Sequence, residues 1–239
     1  MTYQERTYRN NLSRENLVSF EVHVKETDLL ISADCKMEEA AIQSVFKQRK
    51  GIEEYINFHP NFLSSFRPLT NDNLAPPIVR DMLEASTVAG VGPMAAIAGA
   101  IAQYVAYDLL HDSKTVIVEN GGDIFLKSDN EIKVGVFAGD SPLSNKLSVK
   151  IKPQDTPLGI CTSSATVGHS FNFGIADAVC VISRSACLAD AAATAIGNLV
   201  KTEKDIAKAI KQGLKIKGVK GILIVAGDKF GVGGEITLA

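Results

Sequence analysis

One acid and one hydroxyl stand a helical turn apart in Leu188–Ala189–Asp190–Ala191–Ala192–Ala193–Thr194–Ala195. At i and i+4 they project from the same face of a helix. A carboxylate and a hydroxyl are hard oxygen donors, suited to Mg²⁺ or Ca²⁺ rather than to zinc. The alanines around them leave room for a ligand or for a second backbone. The pattern equally suits a packing helix, with Asp190 in solvent and Thr194 bonded back to its own turn. Earlier in the chain, Glu119–Asn120–Gly121–Gly122–Asp123 sets a glycine pair between two apolar runs. Glycine lets backbone approach a ligand closely. Asn-Gly is also the signature of a plain hairpin turn.

Three further segments carry candidate chemistry. Gly90–Val91–Gly92–Pro93 opens a helix, so its amides could hold an anion at the positive end of the dipole. It is not a dinucleotide fingerprint, because the third glycine is not at the required spacing and no clear strand precedes it. Thr162–Ser163–Ser164 ends an apolar run and could give hydroxyls and amides to a phosphate, or form an exposed serine turn. His169 lies just beyond; a lone histidine is more often a packing or surface residue than a base. The four cysteines, Cys35, Cys161, Cys180 and Cys187, form no C-x-x-C pair and no zinc spacing. They read as reduced thiols that pack as small hydrophobes. The alternative is a sulfur-relay or redox role for Cys161 and Cys187, which needs nearby helix ends to lower a thiol pKa.

These residues need elements to hold them. Ser19–His23 and Leu29–Ala33 alternate around Lys25–Asp28 as a hairpin. Met37–Phe58 has helical periodicity, with Gly51 as a break point. Residues 60–77 are rich in proline and turn formers and offer the one place for an internal boundary. Ile78–Ser86 and Met94–Leu110 read as helices on either side of the glycine loop. Thr115–Val118 is a strand, and Ile124–Lys127 is expected to pair with Glu131–Phe137 across Ser128–Asn130. Lys146–Ile151, Leu158–Thr162 and Ala178–Ile182 follow as strands, then the helix Ala186–Val200 and the amphipathic Lys201–Gly213. Gly221–Val225 and Glu235–Leu238 close the chain as strands around a glycine-rich turn. Strands in hairpins rather than βαβ units predict an α+β fold, mainly antiparallel sheet covered by helices, in one domain over 1–239.

Composition narrows the function. The chain has 239 residues, 46% hydrophobic and 22% charged, with formal net charge −2, which matches a globular protein with a substantial core. No basic run is present, and with no Trp and five Tyr there is little on which to stack bases, so nucleic acid is not an expected partner. Residues 1–16 are polar and mixed in charge, with nothing of signal-peptide type, so the expected compartment is the cytoplasm. Ala85–Tyr107 carries no charge and has the length of a membrane span. Gly90, Gly92, Pro93 and Gln103 interrupt it, which favours a buried loop and helix over a membrane segment.

Taken in order, Ala89–Gly92, Glu119–Ile124, Thr162–Ser164 and Ala189–Ala195 resemble the ApbE-like superfamily, founded on FAD:protein FMN transferases. That family has a glycine loop opening a helix, a strand ending in N-L-G-G-D-I, a T-S-G-type strand end and A-D-A-x-A-T-A on a helix. The resemblance spans roughly Val88 to Leu199. It implies that Asp190 and Thr194 are Mg²⁺ ligands and catalytic, with a carbonyl of the Ala89–Gly92 loop as a third ligand, from Ala89. It implies that Gly90, Gly92, Asn120, Gly121, Gly122, Asp123, Thr162, Ser163 and Ser164 line a site for FAD or a related adenine nucleotide. The implied activity is transfer to a hydroxyl of a protein acceptor, or hydrolysis. Two departures stand out. The lysine of the family's G-G-I-A-K-G has no counterpart at Gly92–Pro93–Met94–Ala95–Ala96, and the H-I-I-D-P segment is replaced by Gly168–His169–Ser170–Phe171–Asn172. Without the lysine, a module that binds a phosphorylated ligand and does no transfer chemistry is the alternative expectation.

Overall fold

A computed structural model describes residues 17–165 and 173–239. His169 and its neighbours 168–172 lie outside the described residues. The centre is an eight-stranded antiparallel sheet in the order β1-β2-β3-β4-β7-β8-β9-β10. Its strands are β1 (Val18–Val24), β2 (Thr27–Ala33), β3 (Val116–Asn120), β4 (Asp123–Lys127), β7 (Leu158–Ser163), β8 (Ala178–Ser183), β9 (Val219–Ala226) and β10 (Lys229–Gly234). A hairpin of β5 (Ile132–Gly135) and β6 (Ser148–Ile151) stands apart from it. Among the described residues six α-helices complete the α+β fold: α1 (Glu38–Phe58), α2 (Asn61–Ser64), α3 (Pro77–Ala89), α4 (Ile97–Leu109), α5 (Ala186–Gly197) and α6 (Ile206–Gly213).

The central strands β3, β4, β7 and β8 are apolar on both faces, as buried strands require. Alternate residues supply two separate cores. One face packs Val118, Phe125, Cys161, Val179 and Val181 against the helices. The other packs Ile117, Ile124, Leu126, Ile160 and Ile182 against the β5–β6 hairpin.

Four sequence expectations change. Ile124–Lys127 does not pair with Glu131–Phe137; β4 folds back on β3, Asn120 opposite Asp123, and β5 leaves to pair with β6. The reason is turn chemistry. Gly121 and Gly122 both take positive φ, 66° and 101°, and make the tighter two-residue turn. Gly51 does not break α1, which runs unbroken from Glu38 to Phe58 with Gly51 against the Pro76 ring. The last strand is Lys229–Gly234 rather than Glu235–Leu238. Gly231 and Gly233 are strand residues whose missing side chains admit Ile206 and Ile210 of α6, and Leu238 crosses to bridge Val149 on β6. The helix expected to reach Val200 ends at Gly197.

The uncharged stretch around Ala85–Tyr107 is not one helix. α3 ends at Gly90 in the left-handed conformation, Pro93–Ala96 forms a 3₁₀ turn, and α4 leaves at 106°. Among the described residues no single helix is long and apolar enough to cross a membrane. Within the proline-rich stretch, Phe62 on α2 is fully buried in the helix-side core.

Candidate functional site

The site is built where β3, β4 and β7 end beneath the first turn of α4 and the second turn of α5. Tight helix approach creates it. Ala186, the first residue of α5, is wedged between Gly159 on β7 and Gly99 on α4. A Cβ on Gly99 would lie 2.3 Å from the Ala186 carbonyl oxygen, and one on Gly159 would lie 2.4 Å from the Ala186 Cα. No side chain other than hydrogen fits either place. Gln103, the lone buried amide of α4, accepts the Ala186 N–H at 2.6 Å and satisfies one open donor at the start of α5. Ser185 accepts the Leu188 N–H at 3.3 Å as the N-cap.

This junction sets the carboxylates. Asp190 Oδ2 accepts the Gly99 N–H at 2.9 Å and also faces the Ala98 amide, so it meets the positive end of α4. The Ala98 carbonyl accepts the Asn120 side-chain N–H at 3.1 Å. Asn120 starts the Gly121–Gly122 turn, which is held by the Gly122 N–H donating to Glu119 Oε1 at 2.8 Å. Asp123 Oδ1 accepts the Thr162 N–H at 3.2 Å, and Asp123 also bonds the Cys161 thiol. Thr194 follows Asp190 by one turn, half-buried, on the same helix.

The electrostatics are one-sided. Burial raises Asp123 well above the usual carboxylate range, and the charges of Asp190 and Glu119 push it further. Burial lifts Asp190 to about 7, opposed by its bonds to the Gly99 and Ala98 amides. Arg184 gives no counter-charge here. It donates to the Pro157 carbonyl at 3.1 Å, at the start of β7, while Thr162 lies near that strand's other end. Among the described residues no three His, Cys, Asp or Glu side chains converge as a metal-ligand set. A cation here would rest on one carboxylate with hydroxyl and carbonyl oxygens.

Asn120, Gly121, Gly122, Asp123, Thr162 and Asp190 thus lie around one corner of the sheet. Ser163 and Ser164, both buried, continue from Thr162. Ala89, Gly90 and Gly92 have other neighbours. Gly90 caps α3, its N–H donating to the Ser86 carbonyl at 2.8 Å, and a Cβ on Gly92 would lie 1.8 Å from the Ser65 carbonyl oxygen. The backbone beside Asp190 is that of Ala98 and Gly99, which the sequence reading did not single out. A signal was present. Ala96–Ile97–Ala98–Gly99–Ala100 fits G-I-A-K-G with glycine at the lysine position. Gln103 was visible only as the one amide in an apolar helix.

Cys161, Cys180 and Cys187 are buried as packing thiols, Cys35 is exposed, and the condition for a redox or sulfur-relay role is not met. Cys161 and Cys187 are fully buried, and burial raises both thiols well above the ordinary range instead of lowering them. Cys161 donates to the Ala186 carbonyl at 3.4 Å. Neither is a thiolate at neutral pH.

A model of the family described as AbpE bacteria matches residues 9–230. The chain belongs to this family. It is 42% identical over 226 residues to a UPF0280 protein of Methanococcus vannielii, covering 92% of each chain. It is 39% identical over 216 residues to a UPF0280 protein of Methanosarcina acetivorans, covering 89% of this chain and 85% of that one. Among solved structures, the fold is similar to the apo form of flavinyl transferase ApbE from Pseudomonas stutzeri. The TM-score is 0.60 at 12% identity, over 91% of this chain and 94% of that one. A variant of the flavin transferase ApbE from Vibrio cholerae gives 0.55 at 12% identity, over 91% and 97%. Family membership and the ApbE-like fold agree with the order of motifs from Ala89 to Ala195.

Proposed function

We propose that this AbpE-family protein binds a flavin or other adenine nucleotide together with Mg²⁺ at the Asp190 corner. The observation that carries the proposal is the pair of carboxyls at this corner, Asp123 buried and Asp190 half-buried, both raised by desolvation and both facing backbone amides. Such a corner is short of positive charge. Asp190 would hold Mg²⁺ through its carboxylate, with the Thr194 hydroxyl one turn on and a nearby backbone carbonyl as the hard-oxygen donors such a cation prefers. When bound, the metal would neutralise pyrophosphate charge and polarise the phosphorus under attack. The chain's own contribution is orientation. The Gly121–Gly122 turn leaves open space for a ligand, and the Ala186–Gly99–Gly159 wedge fixes Asp190 against α4. Resemblance to flavin transferases supports flavin as the nucleotide, and a hydroxyl of a protein acceptor or water as the receiving group.

The chemistry beyond binding depends on Gly99. The family's lysine would add a cation beside the phosphates, and losing one such donor costs about a hundredfold or more in rate. We therefore favour slow or absent FMN transfer with binding retained. Titration of FAD into the protein, followed by flavin fluorescence and calorimetry with and without Mg²⁺, tests this. Metal-dependent binding is expected, and Asp190→Ala should abolish that dependence while the circular dichroism spectrum stays unchanged. Equal FAD affinity in the wild type and in Asp190→Ala removes the metal assignment. Rapid FMN transfer to an acceptor peptide removes the binding-only reading.

A further inference from the structure

The two outer edges of the large sheet differ in chemistry. In the β9–β10 ladder Lys229 faces Ala226 across a two-residue turn, and beyond the strand the Glu235 N–H donates to the Lys220 carbonyl at 2.7 Å. The odd-numbered residues of β10 therefore spend their backbone groups on β9. The N–H and C=O groups of Phe230 and Val232 point away from the sheet. By the same alternation, the outward groups of β1 belong to Ser19, Glu21 and His23. Glu21 and His23 sit in a charged cluster with Asp28, His23 Nδ1 lying 3.2 Å from the Asp28 carboxylate. Charge at an edge is a standard guard against pairing with another chain. On β10 the one charged side chain is Lys229, at the first residue beside the turn, and Phe230–Gly234 carry none. Phe230 and Val232 are 46% and 44% exposed, and an open groove of about 460 Å³ runs along the strand, lined by Ile206, Ala207, Ile210, Phe230 and Val232 together with the charged Glu203, Lys204 and Lys229.

We infer that β10 is the two-fold interface of a homodimer, pairing antiparallel with β10 of a second copy. The strand is self-complementary in one register. With Gly231 opposite Gly231 on the axis, Phe230 of each copy faces Val232 of the other. Those are the residues with outward backbone groups, so four N–H···O=C bonds close without a bulge. The facing side chains form aromatic and β-branched pairs, a favourable cross-strand combination. Lys229 falls opposite Gly233, so no like charges oppose each other. The helix layer fits as well. α6 lies over both β9 and β10 because Gly231 and Gly233 let Ile206 and Ile210 down onto the strand. Its axis is thus about one strand spacing, about 4.8 Å, from the two-fold. Two copies of α6 then run antiparallel about 10 Å apart, the ordinary helix-packing distance. Ala207, exposed and lining the groove, is small enough to allow that approach.

The full chain tests this through light scattering after size exclusion and hydrogen exchange of single amides. The expected mass is that of two chains, and the Phe230 and Val232 amides should gain protection as concentration rises. Val232→Pro removes an N–H that β9 does not use, so the strand stays in its sheet. It should yield a single-chain mass with unchanged circular dichroism. Phe230→Glu, which places a charge at the edge, should do the same. A single-chain mass for the wild type at its highest soluble concentration overturns the inference. So does a dimer that survives both substitutions. Protection of Phe230 and Val232 that does not vary with dilution would overturn it too, since the chain itself would then cover the edge.

Discussion

Two glycine-bearing segments drew attention in the sequence, and the structure uses them for opposite purposes. In the first segment Gly90 has open space and serves the α3 cap with a φ of 76°, but Gly92 sits in a crowded place. Gly92 has no room for even a methyl group, because the Ser65 carbonyl occupies that position. Gly121–Gly122 sits in an open one. Nothing lies within 4 Å of where a Gly121 Cβ would be, and the nearest atom to a Gly122 Cβ is the Thr162 carbonyl oxygen at 3.8 Å. Here glycine is needed for φ alone. One segment closes the packing between the end of α2 and the 3₁₀ turn before α4, and the other shapes a turn beside open space and two acids. A glycine motif in a sequence does not say which of these it is. The space around its absent Cβ does.

This contrast can be broken by experiment. Gly92→Ala should have the largest effect, since backbone must move to admit the methyl group. A loss of roughly 4 kcal/mol or more is expected, in the range of severe core defects. Thermal melting that matches the wild type would show that the crowding is not real.

Asp190→Asn comes next and tests the acid side of the open corner. The folded state raises Asp190 to about 7 from its ordinary value of 3.8. The folded protein then holds a proton that the unfolded chain has released. This contribution to stability is fully present below about pH 4 and declines as pH rises to about 7. The metal-free wild type should therefore melt lower at pH 8 than at pH 5. The Asn variant, with no charge to bury, should melt a few degrees above the wild type at pH 8, at roughly 2–4 °C per kcal/mol for a chain this long. Near pH 4 the two should coincide. A parallel pH dependence in both proteins rules out Asp190 as the source.

Gly121→Ala should be the mildest. It meets open space but a φ of 66°, so the cost is that of left-handed backbone, about 1–2 kcal/mol. If it proves as damaging as Gly92→Ala, the turn is packed after all and the distinction between the segments fails.

Much of this was legible from residue patterns. The first hairpin, α1, α3, α4 and α5 all follow from alternation or helical periodicity, because each buries one side against a large core. Asp190 and Thr194 on one helix face, and the Asn120–Asp123 turn, were legible because local spacing specifies them. The partner of β4 was not, since Gly121–Gly122 and Ser128–Asn130 are both plausible turns and only their φ values decide. β10 was missed for a related reason. Gly231 and Gly233 lower strand propensity, yet they are what lets α6 lie on the strand. Ala98, Gly99 and Gln103 were invisible as site residues because their roles come from a contact between α4 and α5, far apart in sequence. The buried state of Cys161 and Cys187 was legible as the plainer of two readings.

The order of the large sheet has a consequence for how the protein is made. Each of its strands pairs with the nearest large-sheet strand before it in the chain, in the order β1-β2-β3-β4-β7-β8-β9-β10. A chain leaving the ribosome N-terminus first always offers the next strand a finished edge. The β2–β3 connection, with α1 to α4, and the β5–β6 excursion are the longest sheet closures before β8. Loop-closure cost grows only with the logarithm of length, so neither is prohibitive. Asp190 is synthesised after the strands that carry Asn120, Asp123 and Thr162. The nascent chain therefore meets the burden of burying a second acid only once the sheet corner around the first can already exist.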